Sequence, residues 1–491
     1  TTTTVTTTTT KTVTKTIKDD TPPTLSLDTE FDKSFTEPPK ITGRATDSGD
    51  VNPGISRVEY SVDDGRSWIE VDKITTPNAK STTFSFVPAI FEDGNFEIKV
   101  RVYDNSGNVS TSRSSSLIID RLPPQVGGVL FSIGPQIIAP VADGVIITLA
   151  GLEAKVTLSS VGGATEITIS NIKYQISNSE NTVSLTKNLD NGLWSGTLSF
   201  SEPGAYQLLA KSVDGAGNKT ERKLNTVVVL DSGIVKDKQG KTISGAKVSL
   251  YYLEPSLNQF VLWDGQAFGQ TNPQKTDSDG KYQLIAPAGK YYLQIGASGY
   301  TILKTNIFNI DKTMPINTQF VLPPFKGIQI GPFKFGWPGK YEQVVVELTY
   351  PTLPEGSPVS LAGKEMPYFS FKSEGKAVTS NSFKGRPTIL TFLSLWSPNT
   401  FEQLSILNAL QGNKEINAAS IMSQDTDSRV SIFKKIGGYK TPIMADADGV
   451  LIEPLGILNF PTHVFLYRKG IIRKLKAGVL TKDELLENLV N

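Results

Sequence analysis

Cysteine is absent from all 491 residues, and histidine occurs once, as His463. Such a chain cannot build a thiolate nucleophile, a disulfide framework or a thiolate metal site, and a multi-histidine metal centre is excluded as well. Neither sign of charge is in excess: 49 basic residues face 48 acidic ones, for a net charge of +1. That balance gives no electrostatic reason to expect nucleic acid or an anionic membrane surface as a partner. No apolar run approaches the ~18–20 residues of a membrane-spanning helix. Thr1 in place of an initiator methionine reads as a processed form or a fragment. The avoidance of cysteine fits an extracellular or cell-surface location, and no cofactor is implied.

What is present is a string of modules. The length predicts about three to five domains at roughly 100–200 residues each. Residues 1–20 open with threonine at 12 of the first 16 positions. This tract reads either as a solvated tether or as a strand that could pair with an open sheet edge of another domain or of a second copy of the chain. Residues 21–121 then place Leu25, Ile41, Val58, Tyr60, Trp68, Phe84, Phe96 and Val100 in short stretches separated by turn signals, the pattern of a β-sandwich. A second sandwich is expected over 122–230.

These two modules repeat each other. Glu92 aligns with Glu202 and Asp104 with Asp214 without a gap, an offset of 110 residues. Each copy ends in a hairpin turn, Asp104-Asn105-Ser106-Gly107-Asn108 and Asp214-Gly215-Ala216-Gly217-Asn218. Both resemble bacterial immunoglobulin-like repeats. Asp104 and Asp214 are calcium candidates, but their spacing suits Asx side chains that cap their own turns.

Residues 231–323 carry Gly240, Ile243-Ser244-Gly245-Ala246-Lys247-Val248, Asp277-Ser278-Asp279-Gly280-Lys281-Tyr282 and Pro287-Ala288-Gly289-Lys290-Tyr291, in that order. The series resembles the carboxypeptidase regulatory-like domain, a small transthyretin-like sandwich, and the resemblance implies a spacer or recognition module without catalysis. Asp277 and Asp279 faintly suggest a calcium loop. No glutamate follows at the required spacing, so a hairpin turn is expected. Glu254 to Pro273 is an insertion whose Phe260, Trp263 and Phe268 are expected to pack on a neighbour or form a contact surface. A Pro/Gly-rich linker covers 324–356, in which Tyr341 to Tyr350 could pair as a strand. Proline pairs at 22–23, 123–124 and 323–324 are expected to keep the joints extended and the modules in a row.

The last module, 357–491, turns on Thr388 to Thr400. A buried strand runs into Trp396-Ser397-Pro398-Asn399-Thr400 and then a helix from Phe401 to Leu410. Met366-Pro367-Tyr368-Phe369, Phe383-Lys384-Gly385-Arg386-Pro387 and Gly456-Ile457-Leu458-Asn459-Phe460-Pro461-Thr462 accompany it. Together they resemble the thioredoxin-like redoxins of bacterial cell envelopes. The resemblance implies a Trp-Cys-x-x-Cys pair at positions 397 and 400 and a cis-proline at Pro461. Ser397 and Thr400 stand there instead, and Asn459 replaces the family's usual glycine. Ser397 suits an N-cap and Pro398 a first helical turn. His463 follows the proline and is expected to be a strand residue with a satisfied hydrogen bond rather than a base for Ser397. Thr481 and Glu484 have the spacing of a capping box.

The expected architecture is therefore three all-β sandwiches in series followed by an α/β thioredoxin-like domain. The expected role is non-enzymatic: an extracellular structural or adhesive protein, a stalk or fibre segment. In the family the backbone beside the cis-proline pairs with an extended peptide. A groove formed by Trp396, Pro398, Phe460, Pro461 and Thr462 could thus still bind a peptide or protein. The alternative is a thiol-disulfide oxidoreductase whose two cysteines have been replaced.

Overall fold

The computed structural model describes residues 18–31, 33–48, 53–141, 144–173, 180–330, 333–335, 343–344, 346 and 361–490. Residues 1–17 of the Thr-rich tract and most of the Pro/Gly linker lie outside the described residues. Contacts divide the chain into two compact units, Thr1–Pro123 with Asp214–Asn218, and Pro124–Val213 with Lys219–Asn491.

The first unit is a β-sandwich. One sheet joins Thr24–Leu27, Ile41–Thr46 and Ser81–Phe86, and the other is built around Ile55–Ser61, Gly94–Asp104 and Ser115–Ile119. Alternation sets the faces: Ile98, Val100 and Val102 point inward on one strand and meet Ile41, Ala45, Phe84 and Leu117 in a single core.

The second unit contains two further sandwiches and the α/β domain. In the second sandwich, Gln125–Ile133 pairs with Glu153–Val161 across an irregularity between Val126 and Val129, where Gly127 and Gly128 bulge out of the ladder. The third sandwich packs directly on it. Ile285 completes the core of the second sandwich, and Gln136 Nε2 donates to Thr313 Oγ1 at 3.1 Å. The insertion packs its rings onto its own module. Gln259–Leu262 pairs with Lys247–Glu254, Trp263 stacks on Phe268 at 5.3 Å, and both rings belong to the third sandwich's own core region. Gln343–Val344 pairs in parallel with Leu303–Thr305, so a fragment of the expected linker strand is present.

The expected row of modules does not hold for the last three, which share one unit. The joint at Pro323-Pro324 is no free spacer: Thr301 N–H donates to Pro323 O at 2.9 Å, which ties it back to the third sandwich.

The terminal domain is a five-stranded mixed sheet in the order Ile443–Asp446, Asn417–Ser423, Thr388–Leu393, Thr462–Leu466, Ile472–Ala477. Thr388–Leu393 is buried at every position, as its continuous apolar and β-branched run requires of a central strand covered on both faces. Helices α1 (Thr400–Asn408), α2 (Asp427–Gly437) and α3 (Lys482–Val490) flank it. α2 ends on Gly438 at φ 63°, and the Thr481–Glu484 capping box before α3 is formed in both directions. The whole is a series of all-β sandwiches followed by a thioredoxin-like α/β fold.

Candidate functional site

The strand Thr388–Leu393 delivers Ser394 to Thr400 to the end of the sheet where its own C-terminus lies, and the loop before Thr462–Leu466 delivers Leu458 to Pro461 beside them. The Phe460–Pro461 bond is cis. Ser397 is not an N-cap: α1 begins at Thr400 with Asn399 in the cap position and no side-chain cap bond. Ser397 lies instead in a turn, its N–H donating to Ser394 O at 3.0 Å and its Oγ to Phe460 O at 3.3 Å. Thr400 Oγ1 donates to Ser394 O at 2.7 Å. The two hydroxyls thus tie the turn and the cis-proline loop to backbone carbonyls, bonds a thiol makes only weakly. Trp396 meets Phe460 edge-on at 6.1 Å. Phe460, Pro461 and Thr462 are buried, Trp396 is half-buried and Pro398 is exposed.

A segment of this same chain lies along the cis-proline loop. Val129 N–H donates to Leu458 O at 2.6 Å, so an extended strand pairs beside the cis-proline from within the molecule. Asn459 closes the pairing: its Nδ2 donates to Val129 O at 2.7 Å, and its Oδ1 accepts from Asn225 Nδ2 at 2.7 Å. A Cβ on Gly128 would stand 2.2 Å from the Phe460 ring, so only glycine lets the bulge come this close. Arg222, on strand Lys219–Leu230 of the sandwich's other sheet, donates to Ile457 O at 2.7 Å and to the carbonyls of Val126 and Gly127. Burial pulls its guanidinium down to about 10, still charged at neutral pH. Gln424 adds a contact on the other flank, accepting from Ser159 Oγ.

None of Gly127, Gly128, Arg222, Asn225 or Gln424 was expected at this site. Two signals were legible: paired glycines inside a strand, which mark a bulge or a close backbone approach, and the Asn459 departure from the family's glycine. Asp425 was also missed. It is buried and holds the turn, with Oδ2 accepting from Leu395 N–H at 2.9 Å and Ser394 Oγ at 3.2 Å, and burial raises its carboxyl.

His463 is fully buried, with Nδ1 accepting from Thr391 Oγ1 at 2.9 Å and Nε2 donating to Gly478 O at 3.1 Å. Both nitrogens are occupied, so no base serves Ser397. Burial lowers its pKa from 6.5 to about 4. The unfolded chain therefore takes up a proton that the native state refuses. The stabilisation is complete above about pH 6.5 and is lost as the pH falls toward 4, a change of about 3 kcal/mol. We expect His463→Gln to flatten this acid limb in denaturant titrations of the full chain. Buried Asp425 and Asp446, whose carboxyls are raised, act in the opposite sense but remain in both proteins. An unchanged acid limb in the variant would show that the imidazole is not buried neutral.

The turn aspartates do what their spacing predicts. Asp104 and Asp214 each accept from the backbone N–H groups two and four residues on, at 2.8–2.9 Å, and from the Nδ2 of Asn108 or Asn218. Asp277 Oδ1 accepts from Asp279 N–H and Lys281 N–H, and both Asp277 and Asp279 are exposed.

Comparison with known proteins agrees with this geometry. Residues 361–490 match the Redoxin family model, and residues 48–121 match a bacterial Ig-like domain. The thiol-disulfide oxidoreductase ResA of Bacillus thuringiensis is 30% identical over 132 residues, 26% of this chain and 76% of that protein. The sporulation thiol-disulfide oxidoreductase A of Bacillus subtilis is 31% identical over 110 residues, 21% of this chain and 67% of that protein. The crystal structure of StoA from Bacillus subtilis is 26% identical, covering 25% of this chain and 96% of that one with a TM-score of 0.23. Those relatives are named for thiol-disulfide chemistry, and this chain has no thiol to perform it. Through its last 130 or so residues the chain belongs to the redoxin family, as a member in which serine and threonine hold the cysteine positions.

Proposed function

We propose that the protein is a non-enzymatic structural or adhesive component of the bacterial cell surface or its surroundings, and that its redoxin domain has become a docking piece. In this reading the second sandwich is an Ig-like repeat of the first, as the 110-residue offset and the matching Asp104 and Asp214 turns support. The third is a carboxypeptidase regulatory-like spacer. The face that would receive an extended peptide receives the bulge at Gly127 to Val129 instead, so it locks modules together rather than capturing a substrate. Protein partners, including a second copy met through the Thr-rich tract, are then left to the sandwiches and the N-terminus.

The observation behind this reading is the Val129–Leu458 pairing sealed by Asn459. Asn459→Gly restores the family's residue and removes two hydrogen bonds whose partners stay buried. The loss is about 2 kcal/mol, or roughly 30-fold in the docking equilibrium. Amide exchange in the full-length protein reads it directly: the Val129 N–H should exchange about 30-fold faster in Asn459→Gly, while amides of Thr388–Leu393 keep their protection. Equal Val129 exchange in parent and variant would refute the docking role.

A further inference from the structure

Asp104 has a second relationship that its turn does not explain. Asp19 precedes the strand Thr24–Leu27, Asp47 follows Ile41–Thr46, and Asp104 ends Gly94–Asp104. Three separate segments thus bring one carboxylate oxygen each to within 4.8 Å of one another. All three residues are buried, at 5%, 0% and 2% exposure. Backbone amides satisfy part of the set: Thr21 N–H donates to Asp19 Oδ1 at 3.1 Å and Gly54 N–H to Asp47 Oδ2 at 3.0 Å. Asp19 Oδ2 and Asp47 Oδ1 are shut off from solvent and have no hydrogen-bond partner among the described residues. No lysine or arginine among those residues forms an ion pair with any of the three. Three anionic groups at this separation, out of water and without a counter-charge, repel one another unless a cation lies between them.

The repeat supplies an internal comparison. Thr24 pairs with Thr46 in the first sandwich as Gln125 pairs with Val161 in the second. Asp120 and Asp214 occupy the places of Asp19 and Asp104, and Asn218 Nδ2 reaches Asp120 O as Asn108 Nδ2 reaches Asp19 O. The residue after Val161, in the place of Asp47, is Gly162. The second copy keeps the turn with no third carboxylate, so the turn itself does not require Asp47.

We propose that Asp19, Asp47 and Asp104 form a calcium site that pins the start of the first sandwich to the ends of two of its strands. The donors are all hard oxygens, which excludes the softer transition metals, and they come from three loops that can adjust to a large, irregular coordination shell. That suits Ca²⁺ better than the rigid octahedron of Mg²⁺.

The test is calorimetric titration of the chelator-treated full-length protein with CaCl2 alone, paired with thermal melts. One calcium equivalent should bind with a Kd of about 10⁻⁵–10⁻³ M. At calcium 100-fold above that Kd, the folded-to-unfolded ratio of the first unit should rise about 100-fold. Asp47→Asn should abolish the binding heat, while its side-chain oxygen can still accept from Gly54 N–H. In chelator this variant should melt no lower than the parent, because it loses one of three repelling charges. Asp214→Asn should leave calcium binding unchanged. No binding heat in the parent, equal binding by Asp47→Asn, or equal affinity for magnesium would each overturn the assignment.

Discussion

Gly128→Val should release the terminal domain from the second sandwich without unfolding either. The added Cβ would stand 2.2, 2.7 and 2.9 Å from three carbons of the Phe460 ring. Phe460 cannot yield easily. Its ring is buried against Trp396, and its backbone is fixed by the Pro461 that follows and by the Ser397 hydroxyl on its carbonyl. Overpacking of this kind costs about 3 kcal/mol, and the cheapest relief is to part the two surfaces. Undocking would free Leu458 O from Val129, and Ile457 O from Arg222. The melt of the second unit should then split, with the redoxin domain unfolding separately, and Trp396 emission should shift as its surroundings open to water. Gly127→Ala should be milder, since its Cβ meets the ends of the Gln424 and Ser159 side chains, which can move. A melt and an emission spectrum unchanged from the parent would show that the bulge does not sit on Phe460.

The second large effect concerns the lost chemistry. Thr400 N–H bonds Ser397 O at 3.1 Å, so the two side chains leave the backbone one helical turn apart at the start of α1. Cysteines at i and i+3 of a helix start can reach disulfide geometry, and the helix terminus favours the thiolate. From sequence alone, Ser397→Cys with Thr400→Cys should suffice to restore insulin reduction. The docked bulge adds a third requirement. Ser397 and Thr400 are 2% and 0% exposed, and in the docking reading proposed above the bulge at Val129, bonded to Leu458 O, covers the loop beside them. The double variant should therefore form its internal disulfide under oxidant yet reduce insulin hardly faster than the thiol-free parent. Adding Gly128→Val should raise the rate by up to about 150-fold, the factor that 3 kcal/mol of undocking corresponds to. High activity in the double variant without Gly128→Val would mean that the face is open. Free thiols in the oxidised double variant would mean that the turn has lost its relatives' geometry.

The terminal fold was legible because its signals are local. The buried run at Thr388–Leu393, the proline after Phe460 and the Thr481–Glu484 box each follow from a few adjacent residues. His463 reads correctly for the same reason: alone on an apolar strand, it has little to do but satisfy two neighbours. Ser397 was misread at the same scale, since a serine before a proline suits a cap, and only the cis-proline loop across the sheet gives its hydroxyl another acceptor. The site was legible as a loss but not as a gain. Local pattern cannot show that Val129 and Leu458 meet, because more than 300 residues separate them. Asn459 and the Gly127-Gly128 pair each look like a blemish until the other is placed against it. Proline pairs likewise set only the local backbone, and at Pro323-Pro324 bonds between the joint and Gly299 to Thr301 set the direction.

That separation has a consequence for how the chain is made. A polypeptide emerging from its N-terminus presents the Gly127–Val129 bulge and the Arg222 guanidinium long before Ile457 and Leu458 exist. Until then the Val129 amide is an unpaired strand edge, the kind of surface that invites mispairing. A product cut short anywhere upstream of Leu458 keeps that edge open for good. The docking contact thus distinguishes a chain that has reached Leu458 from one that has not, and only the latter keeps an open edge for mispairing.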